Sequence, residues 1–211
     1  MRLPRGSPHS FLKLPTFAAH LAKPKDEREA KAIYEVTLKR VLTTGFNGLK
    51  MADVAKAAKL ATGTLYIYFK NKDLLINELF LHLKKAKTTE VLKAYNPNDA
   101  FEETFRKMWF SYLDISLREP ERMLFIEQFA HTSFLTKKTK QQGNQLLAPL
   151  AVFIESGIKN KKLRHLPVDI VLSQVLGPIY EMVKLEKEGT VKLSTHQKQA
   201  LYEMAWNAVK L

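Results

Sequence analysis

The sequence contains no cysteine among its 211 residues. This absence excludes disulfide bonds, thiolate metal sites and a cysteine nucleophile, and it is typical of proteins that work in a reducing interior. The longest apolar runs, such as "APLAVFI", are far shorter than the roughly 20 residues that a membrane-spanning helix needs. We therefore expect a cytoplasmic protein that does not interact with membranes.

The first 24 residues lack the continuous apolar segment and the small-residue cleavage site of a secretory signal. They are basic and are interrupted by Pro4, Pro8, Pro15 and Pro24. This composition predicts a flexible basic arm over residues 1–24.

Catalytic signatures are also missing from the sequence. The six histidines are scattered and no two of them have the spacing of metal ligands. Glu102 with Glu103, and Glu186 with Glu188, do not share a helical face as a carboxylate pair would. The sequence has neither a glycine-rich phosphate loop nor a "GxSxG" motif. We expect no enzymatic activity, no metal and no cofactor.

Acidic residues are few relative to basic ones. Lys and Arg number 34 against 21 Asp and Glu, which gives a net charge of +13. Residues 1–90 hold 17 of these basic and 8 of these acidic residues, so most of the excess lies in the first half of the chain. A positive excess of this kind favours a polyanionic partner, and we expect its binding site to be N-terminal.

Helical periodicity dominates the rest of the chain. Apolar residues recur every three or four positions, whereas no strand-length run alternates between apolar and polar residues. The pattern predicts an all-α protein. Predicted caps include Asn71, Asn98 and Ser194, and Pro120 and Pro167 mark helix starts. The predicted helices are 26–44, 51–58, 62–69, 71–94, 98–118, 120–132, 136–160, 167–187 and 194–210.

The two short helices, "MADVAKAA" and "TGTLYIYF", are separated by a three-residue turn. This arrangement is typical of a helix-turn-helix, whose second helix enters the DNA major groove. Leu65 and Phe69, four residues apart, are predicted to point into the core. At 100° per residue, Gly63 and Ile67 then lie on the opposite, outward side.

Each residue type around this outward side suits a contact with DNA. Gly63 permits close backbone approach, the threonines match base edges, and Ile67 matches a thymine methyl group. Tyrosine and lysine side chains suit the phosphate backbone. The predicted DNA-binding residues are Lys50, Thr62, Gly63, Thr64, Tyr66, Ile67, Tyr68, Lys70 and Lys72. Two alternatives remain: residues 59–72 form an ordinary solvated helix, or Ile67 packs on a neighbouring loop.

The stretch "TGFNGLKMADVAKAAKLATGTLYIYFKNKDLL", residues 44–75, resembles the DNA-binding signature of bacterial transcription regulators of the tetracycline-repressor (TetR) type. The residues that stand where that family has them are Gly63, Leu65, Tyr66, Tyr68, Phe69, Lys72 and Leu74. Two features depart from the family pattern. Lys50 replaces a threonine at the start of the first short helix, and Lys59, Leu60 and Ala61 replace the usual Gly-Val-Ser turn, so we expect Thr62 to serve as the cap.

The resemblance implies an N-terminal three-helix helix-turn-helix head followed by a larger C-terminal helical domain for ligand binding and dimerisation. We assign residues 25–70 to the DNA-binding domain and residues 71–211 to the effector and dimerisation domain. The implied function is that of a homodimeric regulator, a repressor that a small-molecule ligand releases from a palindromic double-stranded DNA operator.

The resemblance also implies an apolar ligand pocket among the later helices, which are rich in aromatic residues. Most such residues in an all-α domain simply belong to the core, and this alternative holds for each of them. The pocket residues that we expect are Trp109, Tyr112, Phe129 and Tyr180 as walls, with Gln128, His131 and Glu181 as polar anchors for an unknown small apolar effector.

The last two helices carry apolar faces, and in the resembled family these helices pair with their copies across a dimer interface. Packing within one chain accounts for such faces equally well. The residues concerned are Ile170, Val171, Val175, Ile179 and Val183, followed by Leu201, Met204, Ala205 and Val209.

A second class of function stays open because of the altered turn. The chain is alternatively a helical ligand-binding module with a degenerate DNA head that acts through a protein partner. An enzyme is a more distant third possibility.

Overall fold

The computed structural model describes residues 27–211, so the predicted arm at residues 1–24 lies outside the described part. Within it the fold is all α, as predicted. None of these helices combines the length and hydropathy that crossing a bilayer requires. The helices are α1 (Glu27–Gly48), α2 (Met51–Ala57), α3 (Thr62–Tyr68), α4 (Lys72–Leu92), α5 (Phe101–Arg118), α6 (Pro120–Ala130), α7 (Lys137–Leu146), α8 (Ala148–Lys159), α9 (Val168–Lys187) and α10 (Thr195–Val209).

Several helix boundaries confirm the sequence signals. Gly45, at φ 68°, interrupts α1 where the sequence predicted its end. The Asn71 side chain accepts a hydrogen bond of 2.8 Å from the Leu74 N–H. Ser194 forms a reciprocal capping box with Gln197 at the start of α10, and α6 begins at Pro120.

Three local predictions were wrong. The predicted helix 136–160 is two helices, because Pro149 has no N–H to donate to the carbonyl four residues earlier and its ring clashes with that carbonyl, and the chain breaks at Leu147. Helix α5 begins after Ala100, not at Asn98, and has no side-chain cap. Thr62 is the first residue of α3 rather than its cap, since Ala61 occupies the capping position.

The described chain divides into two compact units, with α4 and α7 each contributing to both. We call residues 27–84 and 121–143 the head unit, and residues 85–120 and 144–211 the C-terminal unit. The head unit has a continuous apolar core to which α1–α4 and α6 contribute. Its fully buried side chains include Ile33, Val54, Leu65, Phe69, Leu75 and Phe125.

Asn77 fixes the segment between α6 and α7 within the head unit. Its buried side-chain amide donates to the Phe134 carbonyl at 3.0 Å and to the Asp73 carbonyl at 2.7 Å. Its side-chain oxygen accepts from the Thr136 N–H at 2.9 Å. Phe134 in turn stacks on Phe46, with ring centroids 3.9 Å apart. The segment is therefore held to α4 by hydrogen bonds and to the end of α1 by ring stacking.

The C-terminal unit packs α9 against α5, α8 and α10. Val171, Val175, Ile179 and Val183 of α9 are buried inside this unit. Of the two explanations that the sequence left open for these four residues, packing within the chain is therefore the one that the structure shows. Ala205 and Val209 of α10 are buried as well, whereas Ile170 and Met204 remain exposed.

Helices α2, α8 and α9 end with the same hydrogen-bond arrangement, in which the residue after the cap is left-handed. After α2, the Lys59 N–H donates to Lys56 and the Leu60 N–H donates to Ala55. Lys161 and Gly189 occupy the equivalent position after α8 and α9, with φ of 54° and 75°. Glycine adopts this conformation without strain, whereas a residue with a Cβ pays about 1 kcal/mol.

This strain at the turn between α2 and α3 generates a prediction. Lys59→Gly should raise the free energy of unfolding by about 1 kcal/mol, because φ is 57° there and the exposed lysine side chain is removed at little cost. Lys56→Gly, an exposed position inside α2, is the control and should lower the same quantity by about 1 kcal/mol. Urea unfolding at fixed protein concentration measures both. A loss of stability in the Lys59 variant would contradict the strain argument.

Candidate nucleic-acid interface and apolar cavity

Helix α3 has one buried side and one open side, as the sequence predicted. The Leu65 and Phe69 side chains are both 0% exposed, whereas Ile67 is 72% exposed. A Cβ added to Gly63 would meet no heavy atom within 4 Å. Gly63 and Ile67 therefore form a bare, convex stripe, and the alternative that Ile67 packs on a neighbouring loop is not what the structure shows.

Polar and basic side chains border this stripe. Thr62 and Tyr66 are exposed, and Thr64 is half-buried. Lys50 lies just before α2 and Lys70 just after α3, and both are exposed. Seven of the nine predicted DNA-binding residues are thus exposed or half-buried on α3 or at the ends of α2 and α3: Lys50, Thr62, Gly63, Thr64, Tyr66, Ile67 and Lys70.

Lys72 is held in place at the start of α4. Its ammonium donates to the Phe46 carbonyl at 3.2 Å and lies 4.5 Å from the centre of the Phe46 ring. The Phe46 ring also stacks on Phe134. Because the cation has two contacts with the same residue, its position is fixed by the end of α1 rather than left to solvent.

Tyr68 does not lie on the exposed flank, and that part of the prediction was wrong. Its side chain is only 8% exposed, and its hydroxyl donates to the Glu29 carboxylate on α1. The contact joins the end of α3 to a residue 39 positions earlier. No sequence rule identified Glu29 as a partner, because a single acidic residue on a solvated helix carries no pairing signal.

Burial sets the ionisation of two side chains in the head unit. Burial raises the pKa of Tyr34 far above its ordinary value, and the negative charge of Glu78 raises it further. The ring remains neutral and packs between Phe69, 5.6 Å away, and His82, 4.6 Å away. Burial lowers the pKa of Lys84, while Glu127 acts in the opposite direction.

The C-terminal unit contains a small, partly open cavity with a volume of about 50 Å³. Trp109 and Tyr112, two of the residues that we expect in the ligand pocket, line this cavity. The other walls come from residues that the sequence analysis missed, although the apolar faces of α8 and α9 signal several of them. The full lining is Val91, Phe105, Met108, Trp109, Tyr112, Leu150, Phe153, Ile154, Leu172, Val175 and Leu176.

The other predicted pocket residues lie elsewhere. Phe129 is buried in the core of the head unit, where it stacks on Phe125. Gln128, His131 and Glu181 are exposed to solvent. Tyr180 is half-buried but is not part of the cavity wall. Aromatic character alone did not separate cavity walls from ordinary core.

Comparisons with known proteins match the whole described architecture. The family described as "Bacterial regulatory proteins, tetR family" matches residues 33–79, and "Tetracyclin repressor-like, C-terminal domain" matches residues 82–211. An uncharacterized HTH-type transcriptional regulator of Haemophilus influenzae is 34% identical over 181 residues, 86% of this chain and 95% of the relative. The regulator YhgD of Bacillus subtilis is 26% identical over 168 residues, 75% of this chain and 88% of the relative.

Solved structures agree with these matches. A TetR family transcription regulator from Marinobacter aquaeolei superposes with a TM-score of 0.82 at 25% identity, over 88% of this chain and 97% of that one. A TetR-family regulator from Haemophilus influenzae, at 23% identity, has the same fold with a TM-score of 0.76, over 87% and 97%.

The chain therefore belongs to the TetR family of helix-turn-helix transcriptional regulators. The family resemblance carried by residues 44–75 is confirmed, and so is the helical C-terminal domain that the resemblance implied.

The Tyr68 contact generates a second prediction. Tyr68→Phe keeps the ring but leaves the Glu29 carboxylate without its donor, so it should lower the free energy of unfolding by about 1 kcal/mol. Tyr66→Phe, on the exposed side of the same helix, should change it by less than about 0.5 kcal/mol. Urea unfolding compares the two. Unchanged stability with weakened DNA binding in the Tyr68 variant would show instead that its hydroxyl contacts DNA.

Proposed function

We propose that the protein is a homodimeric, sequence-specific DNA-binding repressor, which a small ligand releases from a palindromic operator. Residues 25–70 form the DNA-binding domain in this proposal, and residues 71–211 bind the effector and dimerise. The bare stripe on α3 is the observation that supports it most. Gly63 and the 72% exposed Ile67 lie on the side of α3 opposite the fully buried Leu65 and Phe69. An ordinary solvated helix usually carries polar or charged side chains at such outward positions.

The placement of each side chain suggests a division of roles. Thr62, Thr64 and Ile67 approach base edges, and Gly63 lets the backbone come close. Lys50, Tyr66, Lys70 and Lys72 contact phosphates, which position the head without reading sequence. Tyr68 acts indirectly, because its hydroxyl is occupied by Glu29 and its ring supports α3 from below.

Dimerisation through α9 and α10 uses the sides of these helices that the chain leaves uncovered. Ile170 on α9 and Met204 on α10 are large apolar side chains exposed to solvent. Ser173 and Gly177 follow Ile170 along the exposed side of α9 and allow a second helix to approach closely. A two-fold dimer would place two copies of α3 roughly 34 Å apart or somewhat more, which matches successive major grooves and requires a palindromic site.

Release follows from a difference in affinity between two conformations. A ligand that binds the DNA-incompetent conformation more tightly shifts the population towards that conformation. The shift in free energy cannot exceed the difference between the ligand's binding free energies for the two conformations. Helix α4 is the element that we assign to this change. It is continuous from Lys72, next to the proposed DNA contacts, to Val91 in the cavity wall.

Two substitutions test the division between phosphate and base contacts. Lys70→Ala should weaken binding to operator and scrambled duplexes alike, and reduce the slope of log affinity against log salt by about two per dimer. Thr64→Ala should keep the slope and relax preference at one base position in each half-site, by about 1 to 3 kcal/mol. Fluorescence anisotropy on an operator selected from random DNA measures both. Equal losses of specificity in the two variants would contradict the assignment.

A third substitution tests the dimer. Met204→Asp introduces an unpaired charge where the proposed interface is apolar, and should weaken self-association by at least about 100-fold. Val152→Asp is the control, because Val152 is an exposed apolar residue on α8. Sedimentation velocity over a range of concentrations measures both. Dissociation in the Val152 variant alone would move the interface to α8.

A further inference from the structure

The Lys72 ammonium and the Phe134 ring both contact the ring of Phe46. The ammonium lies 4.5 Å from the centre of the Phe46 ring. The Phe134 ring stacks on Phe46 with centroids 3.9 Å apart and planes inclined by 20°. A nearly parallel ring at van der Waals distance covers one face of Phe46, so the ammonium lies over the opposite face. The Phe46 ring is therefore enclosed between a cation and a second aromatic ring.

This arrangement makes the two contacts of Phe46 interdependent. Two aromatic rings stacked face to face bring their negative faces together, which is less favourable than an offset or edge contact. A cation over the outer face attracts that negative charge. Lys72 therefore favours the stacking of Phe134 on Phe46, and the stacking in turn holds the ring on which the ammonium rests.

The segment that supplies Phe134 is itself held firmly. It connects α6 and α7, residues 131–136, and lies in the same head unit as α1–α3. The buried Asn77 amide donates to the Phe134 carbonyl at 3.0 Å, and the Asn77 side-chain oxygen accepts from the Thr136 N–H at 2.9 Å. Two hydrogen bonds to one buried side chain fix the backbone of this segment, and with it the position of the Phe134 ring.

Lys72 can still bind a phosphate while it is held in this way. One of the three N–H donors of its ammonium points to the Phe46 carbonyl at 3.2 Å. The side chain is only half-buried, so a phosphate can reach the other donors from solvent. A flexible lysine loses rotamer freedom when it binds, and a lysine that is already ordered loses less. Whatever orders Lys72 therefore strengthens its contact with DNA.

We propose that Phe134 is a positioning residue for DNA binding, and that it acts by holding the Phe46 ring on which the Lys72 ammonium rests. The inference rests on the proposed function, because it takes Lys72 to contact a phosphate. It extends the DNA-binding machinery beyond residues 25–70, to a segment within the C-terminal family match. A phosphate contact carries no sequence information, so Phe134 should affect binding to all duplexes alike.

The first measurement examines the packing without DNA. Lysine labelled at the ε-carbon gives an NMR signal for Lys72, which is identified by its absence in Lys72→Met. The ring current of Phe46 should shift this signal upfield. Phe134→Leu keeps an apolar side chain but removes the second ring, and should move the signal towards those of solvated lysines. Phe134→Tyr retains the ring and should leave the signal in place.

The second measurement is a double-mutant cycle on DNA binding by the full-length protein. Phe134→Leu should weaken binding to operator and scrambled duplexes by the same factor, about threefold or more, because both subunits lose an ordered cation. In the Lys72→Met background the same change should have almost no further effect, since the residue through which Phe134 acts is gone. Anisotropy at fixed salt gives each affinity. An equal loss in the wild-type and Lys72→Met backgrounds would overturn the proposal.

Two controls separate positioning from general destabilisation. Lys70, an exposed lysine just after α3, is the matched phosphate contact, and Phe134→Leu should keep its full effect in the Lys70→Met background. Leu135→Ala removes a buried core side chain beside Phe134, and should lower stability to urea without moving the Lys72 signal. An unmoved Lys72 signal in Phe134→Leu, with circular dichroism like that of the wild type, would also overturn the proposal.

The two measurements distinguish failure of this inference from failure of the proposed function. If the wild type binds an operator and Phe134→Leu changes neither the Lys72 signal nor the affinity, the inference fails and the regulator remains. If the Lys72 signal follows Phe134 but the wild type binds no duplex, the proposed function fails, and the role of Phe134 in DNA binding is overturned with it.

Discussion

Everything proposed for the DNA-binding face depends on the burial of Leu65 and Phe69. Each is completely enclosed by the head core, which fixes the rotation of α3 about its own axis. A seven-residue helix has too few internal hydrogen bonds to be stable alone, so this burial holds it helical as well as oriented. Gly63 and Ile67 face outward only because the other side of the helix is committed to the core.

The orientation of α3 could be predicted from sequence, because the apolar residues Leu65 and Phe69, four apart, lie on the same side of a helix and mark that side as buried. The role of Tyr68 could not be predicted in this way. At 100° per residue it lies about 60° from Leu65 and about 100° from Ile67, between the two sides, and its partner Glu29 stands 39 residues earlier in the sequence. The break at Leu147 follows from Pro149, a local signal that the sequence analysis overlooked. Of the cavity walls, Trp109 and Tyr112 on α5 were among the expected pocket residues, whereas Phe105 on the same helix and the walls on α8 and α9 were not.

The structure shows how the turn between α2 and α3 accommodates residues that depart from the family pattern. Lys59 occupies the left-handed position that favours glycine, and the hydrogen bonds that close the helix end form nonetheless. The same backbone recurs at Lys161 and, with glycine, at Gly189. The replaced turn is therefore strained rather than rearranged, and it still presents α3 with its stripe outward. This weakens the reason for regarding the DNA head as degenerate.

Helix α4 carries a residue of each site in the proposed function. Lys72 is tied to Phe46 near the helix start, and Val91 lines the cavity near the helix end. In the proposed mechanism, a ligand in the cavity therefore contacts the same helix whose first turn holds a proposed phosphate contact. The size of the effect is set by how differently the cavity accepts the ligand in the two positions of α4. A ligand that gains affinity by filling the cavity therefore regulates better only where the cavity changes shape with the helix.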